Sequence, residues 1–170
     1  MKYKNATTEN LDDKINQLVE LAIEKNKGVM FLGETGVGKT YALHAFARDM
    51  GRQTINFVEI VRDYRMFLTG RTEINPLDRF LDKPLSTEER ERVKVFFIDD
   101  IGAEKESDFV YEMMYLIVNG VYENEDKFYI TTNLTIEELE KRYGSRISSR
   151  LIEMCEIIKL GGEDRRLSTQ

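Results

Sequence analysis

Short runs of consecutive apolar residues alternate along the chain with segments in which apolar residues recur every three or four positions. A continuous apolar run predicts a strand that is buried on both faces, because neither of its faces is polar. Strands are predicted in this way at residues 28–32, 53–58, 93–98, 128–132 and 155–160. The pattern therefore indicates a five-stranded sheet.

The segments between the strands have the spacing of amphipathic helices. The first helix, at 10–26, takes Asn10 as its N-cap. Its apolar positions are Leu11, Ile15, Leu18 and Ala22. Further helices are predicted at 41–48, 59–68, 107–122, 136–141 and 145–152, with Ser107 as a cap and with Val61, Tyr64 and Leu68 on one side of the third helix.

The stretch 69–92 follows neither pattern. It holds both prolines, Pro76 and Pro84, and the charged run 88–92, so we expect a surface insertion. Elsewhere strands alternate with helices, which is typical of a parallel sheet covered by helices on both faces. The predicted fold is α/β, with residues 1–170 as one domain.

Composition adds few constraints. Apolar residues make up 41% and charged residues 33% of the 170 residues, which is typical of a globular protein. No apolar run has the length of a membrane span, no signal peptide begins the chain, and Cys155 is the only cysteine. We therefore expect a cytoplasmic protein without a disulfide. The net charge of -6 disfavours general attraction to polyanions, so any nucleic-acid contact requires a local basic patch.

A glycine-rich segment between the first strand and the second helix fits the pattern G-x-x-x-x-G-K-[ST] of phosphate-binding P-loops. Glycines let several backbone N–H groups point at one anion, and the positive end of the following helix adds to the attraction. Lys39 is predicted to contact the β- and γ-phosphates and Thr40 to bind Mg²⁺. The predicted nucleotide contacts are Gly33, Glu34, Thr35, Gly36, Val37, Gly38, Lys39, Thr40 and Tyr41.

An acidic pair, Asp99 and Asp100, follows the apolar strand at 93–98. In a parallel sheet the carboxyl end of this strand lies at the same edge as the P-loop. Asp99 is predicted to hold Mg²⁺, directly or through water, and Asp100 to orient or deprotonate an attacking water. The alternative is a strand that simply ends in an acidic turn.

Polar residues after the last two strands complete the candidate site. Asn133 is placed to hydrogen-bond both a γ-phosphate oxygen and the attacking water, or else it caps the next helix. Arg146 and Arg150 share a helix face, and an arginine presented to a neighbouring subunit can stabilise charge in phosphoryl transfer. The alternative is a solvated pair. Arg165 and Arg166 follow two glycines and are otherwise explained as part of a basic tail.

Five motifs occur in a fixed order along the chain: GETGVGKT, VFFIDDIGAE, FYITTN, YGSRISSRL and GGEDRR. With them the sequence, from about residue 10 to residue 166, resembles the AAA+ ATPases of the DnaC/DnaI-type helicase-loader group. The transposition helpers of the IstB-like ATP-binding family belong to the same group. The resemblance implies a P-loop NTPase fold of AAA+ type that binds ATP or ADP with Mg²⁺.

The resemblance also implies a role for each motif. Lys39 and Thr40 fall in the Walker A motif, Asp99 and Asp100 in Walker B, and Asn133 at sensor 1. Arg150 falls at the arginine finger that completes the pocket of an adjacent subunit, with Arg146 in support. In the tail 161–170, Arg166 best matches the sensor 2 arginine and Arg165 is the second choice.

Two features depart from the pattern of this group. Many AAA+ proteins carry Asp-Glu in Walker B, whereas Asp100 is one methylene shorter than a glutamate. Loaders usually carry an additional N-terminal domain that grips the helicase, and here only the predicted helix at 10–26 precedes the P-loop. The first departure concerns the efficiency of hydrolysis and the second concerns how a helicase docks.

The partners implied by the resemblance are single-stranded DNA and a hexameric replicative helicase, or a transposase for a transposition helper. Arg62, Arg65 and Arg71 are DNA-binding candidates, because arginines contact phosphates. Tyr64 and Phe67 lie between them and are interpreted as core residues, with base stacking as the alternative.

Two further functions remain open. A nucleotide-gated binding module would use ATP to set its shape with negligible turnover. A small-molecule kinase would explain the P-loop but not Asn133, Arg150 or the tail arginines.

Overall fold

The computed structural model describes residues 3–81 and 93–162. Within these ranges five strands form one sheet in the order β2-β3-β4-β1-β5, and every pair of neighbours is parallel. The strands are β1 (Gly28–Leu32), β2 (Thr54–Asn56), β3 (Val95–Ile101), β4 (Lys127–Thr132) and β5 (Cys155–Lys159). The prediction of a parallel five-stranded sheet is confirmed.

Six α-helices connect the strands or precede them in the described part of the chain. They are α1 (Asp13–Glu24), α2 (Lys39–Asp49), α3 (Phe57–Leu68), α4 (Asp78–Leu81), α5 (Asp108–Glu123) and α6 (Ile136–Met154), after a short 3₁₀ helix at Thr8–Asn10. Ser107 caps α5 as predicted, because its hydroxyl accepts a hydrogen bond from the Val110 N–H.

Both faces of the sheet are covered. Alternate side chains of a strand point to opposite faces, so Val29 and Phe31 of β1 pack against α1 and α2, whereas Met30 and Leu32 pack in the core beneath α3 to α6. All five residues of β1 are buried. The uninterrupted apolar run that predicted β1 is thus explained by its central position between two helical layers.

Two predicted boundaries are wrong because a polar side chain ends or starts an element. The first helix begins at Asp13, since the carboxylate of Asp12 and not Asn10 accepts the free N–H of Lys14. The second strand stops at Asn56, whose side chain accepts from the Val58 N–H and thereby starts α3 two residues earlier than expected. Leu68, predicted on the packed side of α3, is 57% exposed.

Residues 77–81 are not part of a surface insertion. Leu77 and Phe80 are almost fully buried, and α4 packs against α5. The contact is close at Gly120, where an added Cβ would collide with the Phe80 carbonyl oxygen. Pro84 and the charged run 88–92 lie outside the described residues.

The two helices predicted at 136–141 and 145–152 are the two halves of α6, which is kinked at Gly144 (φ 78°, ψ 161°). Thr135 caps the first half, since its hydroxyl accepts from the Glu138 N–H while the Glu138 carboxylate accepts from the Thr135 N–H. The alternative of Asn133 as the helix cap is therefore wrong.

Candidate nucleotide-binding site

The loop between β1 and α2 depends on backbone conformations that favour glycine. Gly33, Gly36 and Gly38 have φ angles of 148°, 92° and 102°. An added Cβ at Gly33 would also collide with the Leu160 carbonyl oxygen, which follows β5. This compact curve fits a P-loop that presents its N–H groups to an anion at the start of α2.

Lys39 is the first residue of α2 and is 5% exposed. Its Nζ donates hydrogen bonds of 2.6 Å to the carbonyl oxygens of Gly33 and Glu34. The ammonium group is thus held over the loop, beside the positive end of the helix, where two sources of positive charge coincide. Both features favour a phosphate ligand.

A buried hydrogen-bond cluster joins α2, β3 and β4 next to this loop. The Oδ1 of Asp99 accepts from the Thr40 hydroxyl at 3.0 Å and from the Thr131 hydroxyl at 2.6 Å. Asp99 is 6% exposed, and these two hydroxyls hold its buried carboxylate. A carboxylate beside a hydroxyl supplies the oxygen ligands that Mg²⁺ prefers, and Thr40 and Asp99 fit the predicted metal site.

Asp100 lies in a bulge, and not after the end of the strand as predicted. Ile98 is opposite Ile130 and Ile101 is opposite Thr132, so two residues of β3 face Thr131 alone. Asp100 takes up the extra length with a φ of 59°, and its N–H donates to the Thr131 hydroxyl at 2.9 Å. The bulge therefore places both acidic residues opposite Thr131, whose hydroxyl bonds to the Asp99 side chain and to the Asp100 backbone.

Asn133 is exposed and follows β4 at the same edge of the sheet. Leu32 is level with Thr132, so Asn133 is adjacent to the first residue of the P-loop. Asn133, Glu34 and Val37 line a cleft of about 530 Å³ that extends to Leu160. The fold therefore brings the predicted sensor residue beside the loop.

Tyr41, predicted as a nucleotide contact, is half-buried on α2. Its hydroxyl accepts from the Thr7 N–H at 3.4 Å, which ties the segment before α1 to the P-loop helix. Nearby, His44 stacks on Tyr3 with a centroid distance of 4.9 Å, and burial lowers the pKa of His44. This packing indicates a structural role for His44.

The structure does not bring Arg150 to the P-loop of its own subunit. Its Nη1 donates to Asn119 Oδ1, and its guanidinium lies 5.0 Å from the ring centroid of Tyr122. Both partners lie in the second half of α5, which leads to the start of β4. This is the side of the sheet where the strands begin, and the P-loop lies at the other side, where they end. Arg146 is exposed above the Tyr115 ring. Arg165 and Arg166 lie outside the described residues.

A second groove is lined by the basic residues predicted to contact DNA. Arg62, Arg65 and Arg71 share it with Lys105, which comes from the segment after β3 and was not predicted. Tyr64 is half-buried and stacks on Phe109 at 5.6 Å, in agreement with the interpretation of this ring as a core residue. The groove is basic although the whole chain is acidic.

Thr131 was not predicted as a site residue, although its hydroxyl bonds to both members of the acidic pair. A threonine inside an apolar run resembles any other β-branched strand residue. One feature of the sequence could have identified Thr131: it lies near the end of the predicted strand that follows, along the chain, the strand leading to Asp99. No helix in the described residues is long and apolar enough to cross a membrane.

Comparison with known proteins gives two curated relatives from Bacillus subtilis (strain 168). The phage-like element PBSX protein XkdC is 29% identical over 136 residues, covering 77% of this chain and 48% of that protein. The replicative helicase loader DnaI is 24% identical over 160 residues, covering 84% of this chain and 48% of that protein. The chain thus spans about half the length of the curated relatives it matches.

Among solved structures, the crystal structure of the DnaC helicase loader superimposes with a TM-score of 0.75 at 22% identity. The match covers 94% of this chain and 99% of the other. This likeness shows the AAA+ type fold. The family model of the IstB-like ATP binding protein matches residues 1–170. The P-loop and the cluster around Asp99 are therefore parts of a family fold, and the chain belongs to the IstB-like ATP-binding protein family.

Proposed function

We propose that the chain binds Mg·ATP at the P-loop and hydrolyses it. The observation that supports this most strongly is Asp99 Oδ1, which accepts from the Thr40 and Thr131 hydroxyls beside the first turn of α2. This arrangement brings a metal-binding carboxylate to the residue that follows the P-loop lysine. Thr40 and Asp99 would hold Mg²⁺, which would supply positive charge to neutralise the phosphates.

The residues at the carboxyl ends of the strands have separate roles in hydrolysis. Lys39 leaves the carbonyl oxygens of Gly33 and Glu34 to bind phosphate, while Thr40 and Asp99 hold the metal. Asp100, in the bulge beside Asp99, accepts the proton of the attacking water. Asn133 orients that water from the next strand.

Arg150 acts on the pocket of a neighbouring subunit. Its contacts with Asn119 and Tyr122 hold the guanidinium near the opposite sheet edge, so it serves the P-loop of a second copy. Arg166, in the tail, acts as the sensor 2 arginine, as the resemblance to the helicase-loader group implies. Turnover by an isolated subunit is consequently weak and rises with association.

The basic groove holds the backbone of single-stranded DNA. Arg62, Arg65, Arg71 and Lys105 supply charge for phosphates, and the exposed side chain of Met66 supplies an apolar contact in the same groove. Because the net charge is -6, one groove gives weak binding, and ATP-driven assembly aligns the grooves of several subunits.

The cellular role we propose is the loading of a hexameric replicative helicase onto single-stranded DNA. The similarity to the helicase loader DnaI favours this role, whereas the family name keeps a transposition helper as the second candidate. A reconstitution distinguishes them. The protein, Mg·ATP and circular single-stranded DNA are mixed with a replicative helicase or with a transposase, and DNA-bound partner is measured.

The expected result is ATP-dependent transfer of helicase to the circle, which is lost with Lys39→Ala. Recruitment of transposase alone would favour the transposition helper. Recruitment of either partner by bound ATP with no measurable turnover would identify a nucleotide-gated module instead.

A further inference from the structure

Glu104 is the centre of a buried polar cluster between the turn after β3 and the middle of α6. Its side chain is 2% exposed. The Oε2 atom accepts from the Gly102 N–H at 3.0 Å. The Oε1 atom accepts from the Arg142 Nη2 at 3.0 Å and from the Tyr143 hydroxyl. A buried carboxylate with both oxygens satisfied holds its surroundings in one arrangement.

On one side the cluster fixes the turn that contains Asp100. Ala103 N–H donates to the Asp100 carbonyl at 3.2 Å, and Gly102 completes the turn with a φ of 92°. An added Cβ at Gly102 would press on the Leu134 side chain, so this turn is also tightly packed. The carboxylate of Glu104 holds the Gly102 N–H, which lies in this turn two residues after Asp100.

On the other side the cluster fixes α6 at its kink. Arg142 and Tyr143 immediately precede Gly144, after which the second half of α6 carries Arg146 and Arg150. Tyr143 is buried, and burial with the nearby Glu104 carboxylate raises its pKa, so its hydroxyl keeps the proton that it donates. The direction in which the second half leaves the kink therefore depends on residues bonded to Glu104.

We propose that Glu104 is a positioning residue that joins the turn bearing Asp100 to the half of α6 bearing Arg150. The inference rests on the proposed function, in which Asp100 acts within one subunit and Arg150 acts on the next. Because one carboxylate bonds both to the acidic turn and to Arg142 and Tyr143 just before the kink, a shift of the turn in one pocket is passed through the kink to the arginine offered to the adjacent pocket. The cluster thus connects neighbouring hydrolysis sites.

The test uses Glu104→Gln, which keeps the size of the side chain but replaces one acceptor oxygen with an amide donor. Tyr143→Phe is the milder second variant and removes only one hydroxyl. Glu106→Gln is the matched control, because Glu106 bonds to the same Arg142 at 3.2 Å but is 73% exposed. Exposed ion pairs of this kind contribute little.

Affinity for a non-hydrolysable ATP analogue should stay within about twofold in all three variants, because Lys39, Thr40 and Asp99 are untouched. Turnover per subunit should fall at least about tenfold in Glu104→Gln and Tyr143→Phe and should not change in Glu106→Gln. Equal loss of binding and turnover would indicate a merely structural role. If Glu104→Gln does not fold, Tyr143→Phe decides by the same measurements.

Subunit mixing separates this inference from the proposed function. The Lys39→Ala variant keeps Arg150 but has a defective P-loop pocket, whereas the Arg150→Ala variant keeps the pocket but lacks the arginine. A mixture of the two should therefore regain activity at interfaces that combine an intact pocket with an intact Arg150. Adding Glu104→Gln to the Lys39→Ala partner should abolish most of the regained activity, because the arginine is then misplaced. Full recovery with the added substitution overturns the inference alone. No recovery in the original mixture, with both proteins folded and associated, overturns the shared site and the inference with it.

Discussion

The hydroxyl of Thr131 links the two acidic residues of the site, accepting from the Asp100 N–H and donating to Asp99. The sequence identified both aspartates from their position after an apolar run. It did not identify Thr131 or the left-handed backbone of Asp100, because a bulge depends on the register between two strands that are far apart in sequence. The residue types were predictable here, whereas their placement opposite Thr131 depends on the register between β3 and β4.

Replacing Lys39 with alanine should weaken nucleotide binding about tenfold to hundredfold. The variant removes a charge-assisted contact worth about 1.5–3 kcal/mol. Titration with a fluorescent ATP analogue measures the change. Lys14→Ala, an exposed lysine on α1, is the control and should bind like the parent protein. Equal affinity of the Lys39→Ala and Lys14→Ala proteins would place the nucleotide elsewhere.

Replacing Asp100 with asparagine should reduce turnover by about a hundredfold or more while nucleotide affinity is kept, because a general base acts only on water. Asp99→Asn is the matched comparison. It should weaken the Mg²⁺-dependent part of binding, since Asp99 Oδ1 is held beside Thr40. Binding measured with and without Mg²⁺, together with phosphate release, separates the two roles. Parental turnover in Asp100→Asn would show that another group activates water.

At the scale of elements, strand periodicity and the P-loop pattern predicted all five strands and most helices. The misplaced boundaries depend on local capping by Asp12 and Asn56, which compete with equally suitable neighbours in the sequence. Residues 77–81 were predicted as surface because Pro76 and the charged run suggested a loop. Their burial comes from a tertiary contact with α5, which no local pattern reveals.

Gly120→Ala tests that contact. Alanine in the middle of a helix normally stabilises it by roughly 0.5–1 kcal/mol relative to glycine. Here the added Cβ would meet the Phe80 carbonyl oxygen, so we expect a loss of about 1–3 kcal/mol, as for an overpacked core. Urea unfolding measures the difference. The control is Glu112→Ala on the exposed face of α5, which should change stability by less than about 0.5 kcal/mol. Stabilisation by Gly120→Ala would contradict the packing of α4 on α5.

At the scale of the whole molecule, the order β2-β3-β4-β1-β5 explains why residues from distant motifs meet. It places β1 between β4 and β5 and β3 beside β4, so the P-loop, Asp99 and Asn133 share one edge. The same topology separates Arg150 from this edge and leaves the basic groove on the helical layer that contains α3. In the function proposed here, one subunit therefore supplies half of each shared site.

The basic groove predicts a distinctive salt dependence of DNA binding. Substituting Arg62, Arg65 and Arg71 with glutamine should weaken single-stranded DNA binding and lower the slope of log affinity against log salt by about 0.7 per lost contact. Substituting the exposed residues Lys4, Lys14 and Arg52 with glutamine changes the net charge equally and should leave the slope unchanged. The measurement is fluorescence anisotropy with Mg·ATP over a range of salt. Identical slopes for the two triple variants would exclude this groove as the DNA site.

Whether ATP hydrolysis requires two subunits is measured by the specific ATPase activity as a function of protein concentration. Light scattering on the same samples reports association. Activity per subunit should rise as subunits associate, Arg150→Ala should remain low throughout, and the exposed-arginine control Arg52→Ala should follow the parent. Activity that stays constant across the association range, or parental activity in Arg150→Ala, would contradict the account.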